Sequence, residues 1–171
     1  MSWIPLNEQA PDERVHAVFD DIRTQLGEIP DIFRAYANDT PLLELMWSQY
    51  SKLMLIGHLS PQLKEGIALM VSADNRCDSG IVLHSAHLEK YGVDPKEVLR
   101  IRTNPDHAHY NPKDHALLEV ARHAILAPHD HGERLIKLAR ERGATDAEIL
   151  EALAVAGMVS GLNKASDLMG L

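Results

Sequence analysis

The chain has 171 residues, 45% hydrophobic and 25% charged, an ordinary globular composition long enough to close one core. A formal net charge of -8 with scattered Lys and Arg offers no basic stripe for phosphates, which argues against nucleic acid as a partner. The opening MSWIPLNEQAPDERV lacks the basic start and apolar run of a signal peptide, and no window approaches the roughly 18 uncharged apolar residues of a membrane span. A single cysteine forms no internal disulfide, so a reducing cytoplasm is the expected setting.

The pattern predicts an all-α protein with helices at roughly 11–26, 31–38, 41–56, 61–75, 78–91, 95–102, 112–127, 130–142 and 146–169. Thr40-Pro41, Ser60-Pro61, Asp94-Pro95 and Asn111-Pro112 each place a capping side chain before a proline suited to the first helical turn. Asp94 with Glu97, and Thr145 with Glu148, have capping-box spacing. Gly27, Gly57, Gly92 and Gly143 follow helical turns, where a left-handed residue can end a helix. The run Gly66-Ile67-Ala68-Leu69-Met70-Val71 is apolar all round rather than striped, which predicts a central, buried helix. Between Arg102 and Asn111 the chain reads as a loop. In the last helix, Ala152, Ala154, Ala156, Gly157, Ser160 and Gly161 leave little bulk, which suits close approach of another helix from this chain or from a second subunit equally. No linker of flexible composition divides the chain, so one domain is expected over 1–171, with an amino-terminal helical layer to about residue 58 and a core from 59 onward.

Three residues carry the chemistry. Glu65 falls in the helix predicted to be buried, where a carboxyl must be paired or have a raised pKa, and a raised pKa suits a proton shuttle; a solvent-facing glutamate in the first turn is the alternative. Cys77 sits at the start of the next helix, where free backbone N–H groups and Arg76 favour a thiolate while Asp78 opposes it. His84 is four residues after Gly80, on the same helical face, and is the natural partner for Glu65. Ten histidines raise the question of a metal, through His84 with His87, His107 with His109, or His129 with His131. No HExxH, no paired CxxC and no third ligand at a convincing distance accompany them, so neither a metal nor another cofactor is expected.

The string Glu65, eleven residues, Cys77, two residues, Gly80, three residues, His84 resembles the E-x11-C-x2-C-x3-H motif of the alkylhydroperoxidase AhpD and carboxymuconolactone decarboxylase superfamily. LSPQLKEGIALMVSADNRC is similar to the core of that family, EILEALAVAGMVSGLNKASDLMGL to its closing helix, and GEIPDIFRAYANDTPLLELMWSQYSKLM to its peroxidase-related branch. The resemblance implies an AhpD-like helical fold and a homo-oligomer, as dimer, trimer or hexamer. By position, Glu65 and His84 match the proton relay, Cys77 matches the resolving thiol, and Gly80 stands where the peroxide-attacking cysteine would be. Glycine supplies no sulfur, so a two-cysteine cycle within the chain is not possible. Ser79, Gly80 and His87 are expected to line the substrate pocket, and loss of the side chain at 80 is expected to open space beside Glu65 and His84.

Three functions follow from this reading. The first is a one-cysteine antioxidant oxidoreductase, in which a hydroperoxide oxidises Cys77, Glu65 and His84 relay protons, and an external thiol reduces the sulfenic acid. Next comes a non-redox acid–base enzyme of the decarboxylase type, acting on a small lactone or keto acid. The last is a non-catalytic oligomeric binding protein. The whole-chain similarity and the surviving Cys77 put the first ahead.

Overall fold

The computed structural model describes residues 2–171, and among these every regular element is helical. The order is α1 (Glu13–Leu26), α2 (Asp31–Tyr36), α3 (Thr40–Leu55), α4 (Pro61–Asn75), α5 (Asp78–Lys90), α6 (Pro95–Thr103), α7 (Pro112–Leu126), α8 (Gly132–Glu141) and α9 (Asp146–Met169). A short 3₁₀ turn, Pro105–His107, lies inside the segment expected to be a loop. No helix is long and apolar enough to cross a membrane.

Helix α4 is the axis of the structure. All ten residues from Leu63 to Ser72 are buried, as the all-round apolar run predicts, and α5, α7 and α9 pack around it. Two consecutive charged residues lie in this buried stretch. The Lys64 ammonium binds Glu151 of α9 at 2.6 Å and the Ile56 carbonyl, while the Glu65 carboxylate turns toward α5. Glu151 also accepts from the His58 amide at 2.7 Å. Its carboxylate lies so close to Gly57 (φ +124°) that a Cβ there would come within 2.2 Å of Oε1.

The caps follow the sequence with three exceptions. Ser60 and Asn111 accept from the third residue beyond them and Asp94 from the second, and Thr145 with Glu148 forms a reciprocal capping box. At α3 the cap is Asp39, one residue before the expected Thr40, whose hydroxyl instead donates to Asp12. Asp94 and Glu97 do not form a box, because Glu97 is drawn to Arg100 and the His109 amide. Helix α3 ends in extended Ile56, so the left-handed Gly57 lies one residue past its end.

The small residues of α9 divide by face. Ala152, Ala156 and Ser160 are buried in the chain's own interior, whereas Ala154, Gly157 and Gly161 are exposed along a second stripe with Leu150 and Leu168.

Breaking the buried Lys64–Glu151 pair from one side leaves an uncompensated charge. Lys64→Met is expected to lower the urea-unfolding free energy by roughly 3 kcal/mol. Adding Glu151→Gln, which removes that charge but keeps an acceptor for His58, should recover part of the loss.

Candidate active site

The site is built where α4 turns into α5. Helix α4 ends with Arg76 in the left-handed region (φ 60°); the Cys77 amide donates back to Ser72 and the Arg76 amide to Ala73, a Schellman closure with arginine in the position glycine usually takes. This tight turn makes Cys77 the N-cap of α5 and brings α5 back along α4, so that His84 and His87, one turn apart, face Glu65.

Glu65 is 5% exposed and paired on both oxygens. Nδ1 of His84 lies 2.7 Å from Oε2 and Nδ1 of His87 lies 3.1 Å from Oε1. Burial alone would push this carboxyl up. The charge and hydrogen bond of buried His84, joined by those of His87, outweigh burial and hold it at about 2. Of the two states foreseen for a buried Glu65, the structure therefore has the paired one, not the raised pKa. An ionised carboxylate only accepts, so both imidazoles donate from Nδ1, and Nε2 of His84 is left as the basic nitrogen.

His84 lines a cavity of about 550 Å³. Its walls come from residues 28–34, the first half of α5, the end of α9, and Tyr50 of α3. Ser79 and Gly80 line it. His87 does not: its ring is committed to Glu65 behind the wall. Cys77 is fully buried and is also absent from the lining. Burial pushes its thiol up, against the hydrogen bonds from Ser79 and Gly80, and nearby Asp167 adds to the rise.

Residues 41–123 match the carboxymuconolactone decarboxylase family model, a segment holding Glu65, Cys77, Gly80 and His84. The fold agrees with that match. A solved peroxidase-related protein from Silicibacter sp. TM1040 is 25% identical, with a TM-score of 0.89 over 99% of this chain and 88% of that one. Residues 41–123 thus belong with the carboxymuconolactone decarboxylase family, and the whole chain has the fold of the peroxidase-related protein. A peroxidase-related AhpD core protein from Ralstonia eutropha JMP134 is 24% identical (TM-score 0.89, 99% of this chain and 90% of that one). The debrominase Bmp8, solved with 2,3,4-tribromopyrrole, shares the fold at 15% identity (TM-score 0.85, 99% and 90%). No curated protein matches the sequence.

Against the superfamily motif, the notable position is Gly80. A Cβ here would meet Ser72 Oγ at 2.6 Å and Asn163 Oδ1 at 2.7 Å, two buried groups joined to each other by Asn163 Nδ2 donating to Ser72 Oγ at 3.1 Å. The space a side chain at 80 would enter is therefore filled, which corrects the expectation that its loss opens room there. The third metal ligand that the histidine spacing lacked is also present. Glu65, His84 and His87 bring donor atoms within 4.8 Å of one another, a set whose two nitrogens already have the carboxylate as partner and would have to exchange their protons for an ion.

Sequence reasoning missed Tyr50, Ser72 and Asn163. Tyr50 was reachable in part, since Leu43, Trp47, Tyr50 and Met54 recur with helical spacing on the buried face of α3. Nothing local flags the Ser72–Asn163 pair, which joins residues 91 apart.

Two outcomes test this geometry. Because the folded Glu65 pKa lies below the ordinary 4.5, its stabilising contribution is complete above that value and is lost as pH falls through about 2. The unfolding free-energy gap between wild type and Glu65→Gln, followed by urea titration, should be constant at neutral pH and shrink steadily below pH 4.5. Gly80→Ala should cost roughly 1–3 kcal/mol through overpacking. The same change made in a Ser72→Ala/Asn163→Ala background should cost clearly less.

Proposed function

We propose that this chain is an acid–base enzyme that moves a proton on a small molecule held beside His84. The observation that carries this reading is that His84, held by Glu65, lines the cavity, while the chain's single thiol, Cys77, is buried and does not line it. In the proposed step, Nε2 of His84 takes a proton from the bound substrate. The imidazolium so formed is stabilised by the Glu65 carboxylate, and His87 fixes the second oxygen so that the carboxylate cannot swing away. The cavity size falls in the range that holds small ligands, and Bmp8, solved with 2,3,4-tribromopyrrole, is a protein of this fold with a small-ring ligand.

Similarity to a peroxidase-related protein at 25% identity favours a second reading, hydroperoxide reduction at Cys77 with an external thiol as reductant and a reducing cytoplasm as the setting. That chemistry needs a thiolate open to peroxide, and burial opposes both requirements. We also propose that copies of the chain assemble through α9, whose exposed Ala154, Gly157 and Gly161 stripe allows close helix approach.

Turnover can be read as deuterium exchange from solvent into carbon acids, using a panel of small ketones, lactones and keto acids. His84→Ala is expected to lower the exchange rate at least about 100-fold, and Cys77→Ser to leave it within about twofold. The opposite pattern, loss in Cys77→Ser together with a trappable sulfenic acid at Cys77 after brief peroxide exposure, would establish the redox reading in its place.

A further inference from the structure

Tyr50 is the least explained side chain in the cavity wall. Its ring is fixed, stacked on Trp47 with centroids 5.8 Å apart and set edge-on to Phe33 at 5.5 Å. Trp47 satisfies its own polar tip by donating to Asp21 at 2.6 Å. The Tyr50 hydroxyl has no partner among the described residues, although the residue is 3% exposed. A buried hydroxyl left unpaired is costly, and because Tyr50 is a residue of the cavity wall, a ligand that brings an acceptor to it relieves that cost. Burial, with the negative charge of Glu65 nearby, pushes its pKa well above the usual phenol range, so the group stays a donor. Tyr110, the other buried hydroxyl without a partner, does not line this cavity.

The charges of the wall add a second constraint. Glu28, Asp31 and Asp78 line it, and the one lining Lys or Arg among the described residues, Arg34, is already taken by Glu8, with Asp31 at 3.8 Å. Asp78 stands in the first turn of α5 and offsets the positive end of that helix dipole. An anionic ligand therefore meets carboxylates and no free counter-charge, while apolar groups such as Ile29, Phe33, Val159 and Leu162 supply contact for a ring.

We propose that the cavity binds an uncharged, ring-sized carbonyl compound, with Tyr50 donating a hydrogen bond to the carbonyl oxygen. The binding stands on the cavity alone; its role as substrate rests on the acid–base reading above. In that role the proton on the carbon beside the carbonyl passes to His84 Nε2 and the C–H electron pair becomes the C=C bond. The carbonyl π pair moves onto oxygen, where the Tyr50 hydroxyl holds the developing charge without surrendering its own proton. A carboxylic acid substrate is disfavoured.

Three probes of similar shape separate the terms: acetophenone has a ring and an acceptor, benzoate adds a negative charge, and ethylbenzene lacks the acceptor. In NMR titrations of the full chain at neutral pH, acetophenone should bind at least about tenfold more tightly than benzoate. Tyr50→Phe removes only an unpartnered hydroxyl, so its melting temperature should not fall; it should weaken acetophenone about tenfold and leave ethylbenzene unchanged. Benzoate binding as tightly as acetophenone, equal losses for acetophenone and ethylbenzene in Tyr50→Phe, or no binding of acetophenone would each overturn the proposal. Acetophenone binding as described without His84-dependent deuterium exchange would leave this inference standing and remove the acid–base reading. Exchange that is indifferent to Tyr50→Phe would do the reverse.

Discussion

A carboxylate taken out of water must find opposite charge or strong donors, and in this protein Glu65 finds two imidazoles on the neighbouring helix. That demand links the two halves of the site. It sets the tautomer of both rings, leaves one basic nitrogen on His84, and ties α5 to α4 at a fixed rotation. Desolvation and ion pairing oppose each other here, and the pairing prevails, so the group reads as an electrostatic anchor for His84 rather than as a proton carrier in its own right.

The packing around Gly80 is closed to a side chain. Ser72 and Asn163 hydrogen-bond across the Gly80 backbone and occupy the volume that a side chain there would claim. Restoring a thiol at 80 would thus need repacking of α4 and α9 as well as a single substitution. Cys77, the chain's single cysteine, sits in the interior, where burial favours the protonated thiol. The remaining polar machinery consists of His84 in the cavity wall, the carboxylate behind it, and a tyrosine hydroxyl with no partner.

Much of this was legible in the residues. Proline after a capping side chain marks the starts of α4, α6 and α7 because both effects are local, and the continuous apolar run marks α4 as central because no face of it tolerates water. What escaped depends on distant contacts. Thr40 lost its cap role because Asp39 accepts from the Leu42 amide while the Thr40 hydroxyl donates to Asp12; Glu97 left its box for Arg100 and the His109 amide. The stop at Arg76 was invisible because arginine has no preference for the left-handed region, and tertiary contacts impose it. At the site, motif spacing anticipated the Glu65–His84 pair, whereas His87 was assigned to the pocket since spacing reveals a shared face but not which neighbour a ring will choose. The single-domain reading stays an expectation drawn from the lack of a flexible linker.

Lys64 and Glu65 are adjacent in the chain, so on a helix their side chains diverge by about 100°. One is fastened to α9 and the other to α5. Any twist of α4 about its own axis would pull a buried cation and a buried anion from their partners at the same moment. The central rod is in effect keyed at two points, and changes of specificity in relatives should come through the walls that face it, because the rod itself has nowhere to turn.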